Sequence, residues 1–286
     1  MRFFLACSLL VFACGTRTEL DGTTSGDAGG GVCTAAPWIV FDYVGSAGGK
    51  RAAIRADGTS FHTLGIDGFV PSISPDGASL LYLTGSPEGD ESLILRDLAS
   101  GQTRTIAKVN VQPPSSGLGK AAVSPDGKWI AYADSPDLRL VAFDGTGDHL
   151  LVSGPYEAGC CPWGYGHPQF AADSSSLWFS TIGRLETIRT DGSVRTLLYQ
   201  DQFFSGSYEG FVFPNVSLSP DGKKMVADVA CDVSELRVFD AATTPFDACA
   251  SGTKLVETGL SMASNESANP AWGPSNAIVN EEGKDL

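Results

Sequence analysis

The chain has 286 residues, of which 42% are hydrophobic and 18% are charged, a balance typical of a globular core rather than of a disordered chain. Acidic residues outnumber basic ones by 33 to 19, so the formal net charge is -14. Such a surface repels phosphate backbones, which argues against nucleic acid as a partner.

The chain begins with an apolar segment, MRFFLACSLLVFACG, in which Arg2 precedes a run from Phe3 to Ala13. The run is too short to span a bilayer as a helix but suits a signal-peptide core, which predicts a signal peptide at 1–13. Its end, Val11 to Gly15, resembles the bacterial lipobox. The resemblance implies cleavage before Cys14 and a diacylglycerol on the Cys14 sulfur. The alternative is an ordinary secretory signal that contains a cysteine by chance.

The lipobox resemblance also predicts a location. It implies a domain that is exported from the cytoplasm and held at a membrane of the bacterial cell envelope by the lipid anchor alone. Gly15 is not the aspartate that retains lipoproteins at the inner membrane in some bacteria, which favours the outer membrane. Residues 14–32 contain one leucine and no aromatic residue, so they are predicted to be a flexible tether.

Seven cysteines occur, and two of them, Cys7 and Cys14, belong to the predicted signal peptide and anchor. In an exported protein the other five are expected to pair. Cys231 and Cys249 are close in sequence and are predicted to form one disulfide. Cys33 is expected to pair with Cys160 or Cys161, which leaves one thiol over. No metal site is predicted, because no CxxC pair occurs and the three histidines are scattered.

An internal repeat runs through the chain and is marked by a turn. Ser-Pro-Asp-Gly occurs at Ser74–Gly77, Ser124–Gly127 and Ser219–Gly222, and a degenerate copy surrounds Asp173. Intervals of 47 to 50 residues separate the turn aspartates, which are Asp76, Asp126, Asp173 and Asp221. Proline presets the first central position of a tight turn, and Asp and Gly accept the conformations that follow.

Each repeat contains four short strands joined by tight turns, a pattern typical of a four-stranded antiparallel blade. The predicted strands are 70–73, 80–84, 93–96 and 103–107; 121–123, 129–133, 138–142 and 149–152; 168–170, 177–180, 185–189 and 194–199; and 215–218, 224–228, 235–239 and 253–257. A repeat of this length predicts an all-β fold, a β-propeller, whose radial blades leave only short protected edges.

The two ends of the repeat array predict one composite blade. Residues 38–44, 51–55 and 60–64 are expected to form its second, third and fourth strands, and Asn269–Pro274 its first. Pairing of the N- and C-terminal segments then closes a ring of five blades within a propeller domain at 33–286. The alternative is six blades, if Ala277–Leu286 belongs to a last blade.

Three segments, Pro71–Tyr82, Ala121–Tyr132 and Asn215–Val226, resemble the TolB-type (PD40) propeller repeat, a PxxSPDGxxIAY pattern followed by a strand and a DG hairpin. The resemblance extends over Trp38–Pro274. It implies the propeller fold but no function, because the same repeat occurs in proteins with different roles. Relatives carry an α/β domain before the propeller or a hydrolase domain beside it, and neither is expected here.

The sequence holds no recognisable catalytic constellation. Gly206–Gly210 has the wrong spacing for a GxSxG nucleophile elbow. His62, His149 and His167 are isolated from any paired acid or nucleophile, and the turn aspartates are expected to bond their own backbone amides. The chain is therefore predicted to be a non-enzyme without a cofactor. The alternative is a small hydrolase or lyase at the channel mouth, where His167 would converge with carboxylates such as Glu157, Asp201 or Glu209.

Two unrepeated connections between blades, 153–167 and 200–213, are rich in aromatic residues. Connections from strand four to strand one lie on one face of a propeller, so exposed aromatic side chains there would form a binding surface. The alternative is that they plug the channel or pack between blades. The candidate binding residues are Tyr156, Trp163, Tyr165, His167, Phe203, Phe204 and Tyr208. The predicted function is a monomeric, noncatalytic module that binds an envelope protein, a peptide or a glycan.

Overall fold

Short segments with alternating apolar and polar residues form strands throughout the chain, and the computed structural model of the protein is all-β. The structure describes residues 10–11, 38–45, 48–55, 58–66, 69–85, 90–110, 121–134, 136–154, 166–181, 184–200, 212–219, 221–230, 234–241, 253–257, 271–272 and 278–279. Within these ranges no helix is long and apolar enough to cross a lipid bilayer.

The described strands form five four-stranded antiparallel sheets, in each of which the strands lie in chain order. The N-terminal sheet contains β1 (Leu10–Val11), β2 (Trp38–Gly45), β3 (Gly48–Arg55) and β4 (His62–Thr63). Blade 1 contains β5 (Phe69–Ile73), β6 (Ser79–Gly85), β7 (Asp90–Asp97) and β8 (Thr103–Asn110). Blade 2 contains β9 (Ala121–Val123), β10 (Trp129–Asp134), β11 (Asp137–Ala142) and β12 (His149–Val152).

Blade 3 contains β13 (Gly166–Phe170), β14 (Ser176–Thr181), β15 (Arg184–Arg189) and β16 (Arg195–Gln200). Blade 4 contains β17 (Val212–Leu218), β18 (Lys224–Ala230), β19 (Ser234–Asp240) and β20 (Thr253–Glu257). The predicted four-stranded repeats are therefore confirmed, with strand ends that agree to within three residues. His167 lies inside β13 rather than before it, and Val194 lies outside β16 because its backbone is left-handed, with φ +46°.

Apolar side chains pack between neighbouring sheets, and the second strand of a blade contributes to the interfaces on both of its sides. Leu80 belongs to the cluster between the N-terminal sheet and blade 1, whereas the next residue, Leu81, belongs to the cluster between blades 1 and 2. In the same way, Ile130 of blade 2 belongs to the cluster shared with blade 1, and Ala131 belongs to the cluster shared with blade 3. Because successive side chains of a strand point to opposite faces, every blade between two others is covered on both sides.

The first strands of the blades form an inner row in which each contacts the next, from β5 through β9 and β13 to β17. Two polar side chains link neighbours in this row. The Ser72 hydroxyl accepts a hydrogen bond from the Val123 N–H at 3.3 Å, and the Gln169 amide oxygen accepts one from the Leu218 N–H at 2.9 Å. Strand edges that face the centre are thereby held by side chains of the adjacent blade.

The ends of the chain pair differently from the prediction. Ala271–Trp272 (β21) continues the inner row by contacting β17, as expected for a first strand, but it pairs with Ile278–Val279 (β22). The first-strand position beside β2 is held by β1 instead. Among the described residues the predicted composite blade is therefore not formed. Because β1 fills the place beside β2, β21 pairs with β22, a segment six to eight residues further along the chain.

Candidate functional site

The antiparallel order of the strands gives the propeller two unlike faces. At one, the turn face, strand one turns into strand two and strand three into strand four. At the other, the loop face, strand two connects to strand three and strand four to the next blade. The Ser-Pro-Asp-Gly turns lie on the turn face, whereas Gly154 and Gly166, which flank one of the aromatic-rich connections, lie on the loop face.

On the turn face, each repeated turn is closed by its own serine and aspartate. In blade 1 the Asp76 carboxylate accepts hydrogen bonds from the Ser74 hydroxyl at 2.6 Å and from the Ala78 N–H at 2.9 Å. The Ser74 hydroxyl oxygen in turn accepts the Ser79 N–H at 2.8 Å. Gly77 occupies the left-handed position at φ +66°, which costs a residue without Cβ little.

The same arrangement recurs in the other blades. The Asp126 and Asp221 carboxylates each accept the hydroxyl of the serine two residues before them, at 2.6 Å, and a backbone N–H two residues on. In the degenerate copy Asp173 bonds the N–H and hydroxyl of Ser175, and Ser174 takes the glycine position at φ +61°. The prediction that the turn aspartates bond nearby backbone amides is confirmed.

These bonds lower the pKa of three turn carboxylates, Asp126, Asp173 and Asp221. The Ser219 hydroxyl and then the Lys223 N–H lower the pKa of Asp221, and the Ser175 N–H and hydroxyl lower that of Asp173. Burial would raise the pKa of Asp126, but bonds from Ser124 and Lys128 outweigh it and lower the pKa.

Backbone bonds also tie the hairpin between strands three and four to each turn. In each pair a backbone N–H of the hairpin donates to a backbone carbonyl of the turn: Leu98 to Ala78 at 2.8 Å, Phe143 to Lys128 at 2.7 Å, Thr190 to Ser175 at 3.0 Å and Ala241 to Lys223 at 2.9 Å. Within the Asp144–Asp148 hairpin, Asp144 bonds Thr146 and Asp148 pairs with Arg139 at 3.2 Å, so both carboxylates serve the fold. The described residues contain no group of three or more His, Cys, Asp and Glu side chains that could hold a metal ion.

The two histidines whose side chains are described bond the backbone of their own hairpins. The Nδ1 atom of His62 lies 3.0 Å from the Ser60 carbonyl oxygen, and that of His149 lies 2.8 Å from the Gly147 carbonyl oxygen. Both residues lie in a fourth strand, as predicted, and His149 begins β12 as predicted; His62 begins β4, which is shorter than the predicted strand 60–64. These contacts support the structural interpretation of both histidines.

Two polar clusters lie within the blades, each with one buried member, Glu186 in blade 3 and Tyr132 in blade 2. Glu186, which is 4% exposed, forms a bidentate ion pair with Arg195, and the guanidinium lies 5.9 Å from the centroid of Phe179. In blade 2 the Arg139 guanidinium bonds the Tyr132 hydroxyl at 3.2 Å, and burial, followed by Asp148, raises the pKa of Tyr132. Each charge has its partner inside one blade, and removing Arg195 would leave the buried Glu186 carboxylate uncompensated.

On the loop face, one anchored connection stands out. The Asp137 carboxylate accepts the Gly154 N–H at 3.0 Å and the Ser153 hydroxyl at 3.2 Å, which joins the start of β11 to the residues after β12. A Cβ on Gly154 would overlap the Pro136 carbonyl, so only glycine fits this approach. Asp137 and Gly154 therefore fix the root of the connection 155–165, which carries three of the candidate binding residues.

Sequence reasoning missed Asp137, although a signal was present. Ser135, Pro136 and Asp137 repeat the first three residues of the turn motif, but Leu138 follows where the turns have glycine. Leucine disfavours the left-handed backbone that this position of the turn needs, and Asp137 bonds Ser153 and Gly154, the residues after β12, instead.

The other predicted site residues lie outside the part of the chain that the structure describes. They are Tyr156, Trp163, Tyr165, Phe203, Phe204 and Tyr208, the carboxylates Glu157, Asp201 and Glu209, and the cysteines Cys14, Cys33, Cys160, Cys161, Cys231 and Cys249. The backbone of His167 is described within β13. The inner row brings the ends of the two aromatic-rich connections together, because β13 and β17 are neighbours.

Comparisons with solved structures agree on the fold. TolB from Acinetobacter baumannii has a TM-score of 0.60 at 15% identity, over 87% of this chain and 62% of the TolB chain. The protein has a β-propeller fold. Since the match covers 62% of the TolB chain, this protein spans less than two thirds of the length of TolB. No protein-family model and no curated protein matches the sequence.

Two further solved structures extend the comparison. A protein of unknown function from Bacteroides thetaiotaomicron has a TM-score of 0.53 at 14% identity, over 87% of this chain and 65% of that one. A candidate 6-phosphogluconolactonase from Bacteroides uniformis has a TM-score of 0.52 at 15% identity, over 86% of this chain and 76% of that one. At these identities the likeness concerns the fold alone, and it favours neither a catalytic nor a noncatalytic role.

Proposed function

We propose that the protein is an exported, lipid-anchored β-propeller of the bacterial cell envelope that binds a partner on its loop face without catalysis. The observation that carries this proposal is the contrast between the two faces. Repeated hydrogen bonds occupy the turn face in all four blades, whereas the unrepeated, aromatic-rich sequences enter at the loop face. Unrepeated loops on a rigid scaffold are where proteins of this kind carry recognition.

The composition of the two connections suits a protein, peptide or glycan surface. Tyr156, Trp163 and Tyr165 present large rings with polar tips, which contact both apolar groups and hydroxyls. The second connection adds Phe203, Phe204 and Tyr208 at the next junction of the inner row. The net charge of -14 adds no attraction for an anionic partner.

Capture from solubilised envelope membranes tests the binding role. We expect the protein to retain a specific partner and the variant Tyr156→Ala/Trp163→Ala/Tyr165→Ala to lose it, by roughly 30-fold in affinity if two of the rings are central contacts. Phe61→Ala is the matched control, because Phe61 is an aromatic residue 55% exposed directly before β4, outside both connections. Equal capture by the loop variant and the protein would contradict the proposal.

A separate experiment tests the anchor. Cys14→Ser removes the acylated sulfur, so the variant should lack the mass of the lipid and, because it escapes cleavage, should keep the mass of residues 1–13. Unchanged mass and unchanged membrane association would show that Cys14 carries no lipid. A soluble domain that still captures its partner would separate the anchor from the binding role.

The second candidate, a hydrolase or lyase at the channel mouth, has one observation in its favour, the position of His167 in the inner row. Its test is turnover measured against a panel of esters, lactones and uronate-containing glycans. Activity that His167→Ala abolishes and His149→Ala leaves intact would establish the enzyme, since His149 stands on the turn face. Activity absent from the purified protein supports the noncatalytic proposal.

A further inference from the structure

The strand β1 places two residues of the predicted signal peptide where a blade has its first strand. Leu10 lies opposite Val40 and Val11 lies opposite Ile39 in an antiparallel pairing. In blade 2 the same places are taken by Ala122 opposite Ala131 and Val123 opposite Ile130. The sequences of β2 and β10 align on WIVF and WIAY, so Ile39 corresponds to Ile130 and Val40 to Ala131. Leu10–Val11 therefore holds the register of an authentic first strand.

A second segment of the chain fits the same slot. Ala271–Trp272 directly precedes Gly-Pro-Ser-Asn, the partial copy of the turn motif, as Ala122–Val123 precedes Ser-Pro-Asp-Gly. It also contacts β17, so it already lies in the inner row, one step after the first strand of blade 4. Ala271 opposite Val40 and Trp272 opposite Ile39 would reproduce the register of blade 2.

We propose that β1 occupies the slot beside β2 only until the signal peptide is removed, and that Ala271–Trp272 then replaces it. The inference rests on the proposed cleavage before Cys14, which removes Leu10 and Val11 with the signal peptide. Closure of the propeller is thereby coupled to export. The precursor has its N-terminal sheet completed by the segment that is to be discarded, and the mature chain completes it from its own C-terminal segment.

The physical reason for the exchange is the edge that cleavage exposes. Strand β2 has eight residues, and an uncovered edge of that length invites pairing with other chains. Moving β21 from β22 to β2 covers the same two residues of this edge that β1 covers, Ile39 and Val40, and uncovers only the two-residue strand β22. Because β21 is already held against β17, most of the entropy cost of closing the long loop is met when the blades pack.

Paired cysteines in the full-length chain test the exchange. Val40→Cys/Ala271→Cys reports the proposed mature pairing, and Ala271→Cys/Val279→Cys reports the pairing of β21 with β22, since Ala271 lies opposite Val279. Each pair is introduced into the chain with Cys14 and into the Cys14→Ser chain, which escapes cleavage. Intact mass gives the N-terminus, and mass spectrometry of digested protein identifies the disulfides.

We expect the 40–271 disulfide to rise at least tenfold in cleaved chains relative to uncleaved ones, with the reverse for the 271–279 disulfide. Cleaved chains that keep only the 271–279 disulfide overturn the exchange and leave the anchor proposal intact. Chains with Cys14 that reach the envelope uncleaved overturn both the exchange and the anchor proposal. A 40–271 disulfide of equal yield in uncleaved chains overturns the coupling to export, and one formed between two chains shows that a second copy fills the slot.

Amide hydrogen exchange on the chain without added cysteines provides a second measurement that needs no substitution in the slot. The peptide containing Ile39 and Val40 should keep its protection after cleavage, because β21 replaces β1. A loss of protection in cleaved chains, with blades 1 to 4 still protected, would show that the slot stays empty.

Discussion

At the residue scale, the repeated turn shows why serine and aspartate occur together. The aspartate carboxylate alone would satisfy one backbone N–H, but the Ser74 hydroxyl donates to Asp76 and accepts from Ser79, so two side chains close a six-residue turn. The proline and glycine of the motif fix the backbone, and the two polar side chains satisfy its donors. The motif therefore marks the number of repeats and gives no information about a ligand.

Acid should weaken these turns in a predictable direction. The pKa of Asp221 in the fold lies below its ordinary value of 3.8, so the stabilisation is fully present above that pH and is lost as the pH falls through the lowered pKa. Asp221→Asn keeps a neutral acceptor and should lose less stability than the unsubstituted chain between pH 7 and pH 3. Asp221→Ala should be destabilised at both pH values. Urea unfolding at each pH measures the free energies, and an Asn variant as acid-sensitive as the unsubstituted chain would contradict the assignment.

Val194 is a strained residue in a repeated hairpin. It has φ +46° and is 70% exposed, whereas the corresponding residue of blade 2 is Gly147 at φ +66°. A β-branched residue in the left-handed region costs about 1 kcal/mol or more. Val194→Gly should therefore raise the free energy of unfolding by about 1 kcal/mol. Gly147→Val is the matched reverse substitution and should lower it by a similar amount, since an added Cβ meets nothing within 4 Å. Thermal and urea unfolding would measure both free energies. If neither substitution changed the free energy of unfolding, the strain at Val194 would be absent.

At the element scale, the strands were predictable because one pattern recurs with one period. The pairing of strands three and four even carries a β-bulge at the same place in each blade, at Leu93/Ile94, Leu138/Arg139, Leu185/Glu186 and Leu236/Arg237. The loop-face root at Asp137 was not predictable, because Gly154 is 17 residues away and nothing in the pattern joins them. A repeat identifies residues that do the same work in each blade and misses those that act in one blade only.

The hydrogen bonds of Asp137 on the loop face should control how readily the connection 155–165 is cleaved by proteases. Asp137→Ala removes the acceptor of the Gly154 N–H and should raise the rate of limited proteolysis within 155–165 by about fivefold, for a loss of roughly 1 kcal/mol. Asp137→Asn retains an acceptor oxygen and should have a smaller effect. Gly154→Ala should act like Asp137→Ala or more strongly, because its Cβ overlaps the Pro136 backbone.

The matched control for this root is Asp144→Ala, which breaks a hairpin on the opposite face. It should leave cleavage within 155–165 unchanged. If Asp137→Ala and Asp144→Ala had the same effect on this connection, the bond between Asp137 and Gly154 would not be what holds it.

At the scale of the whole molecule, the sequence predicts the fold because each blade is specified locally, and it fails at the ends because closure is a competition. Leu10–Val11 and Ala271–Trp272 both have the apolar character of a first strand; β1 occupies the slot beside β2 in the structure, and Ala271–Trp272 is its proposed replacement. Strand propensity cannot rank two such segments, since the outcome depends on chain entropy and on cleavage. The positions of the aromatic-rich connections follow from strand order, whereas what they bind depends on side-chain positions that no repeat specifies.

The proposed closure of the ring also predicts how the molecule unfolds. Ile130 is fully buried between blades 1 and 2, so Ile130→Ala should cost about 3 kcal/mol through lost burial and the cavity left behind. In an open row of blades such a loss spreads weakly beyond the nearest neighbours, and the end blades open first. In a closed ring no blade is at an end, because each is covered on both sides, so the loss of free energy of unfolding affects all blades alike.

We therefore expect Ile130→Ala to weaken amide protection in blade 4 as much as in blade 2 in the cleaved chain, measured by hydrogen exchange at increasing urea. In the uncleaved chain, where β21 pairs with β22, the effect on blade 4 should be smaller. Protection in blade 4 that ignores the substitution in both forms would show that the blades unfold as an open array, whatever the state of the signal peptide.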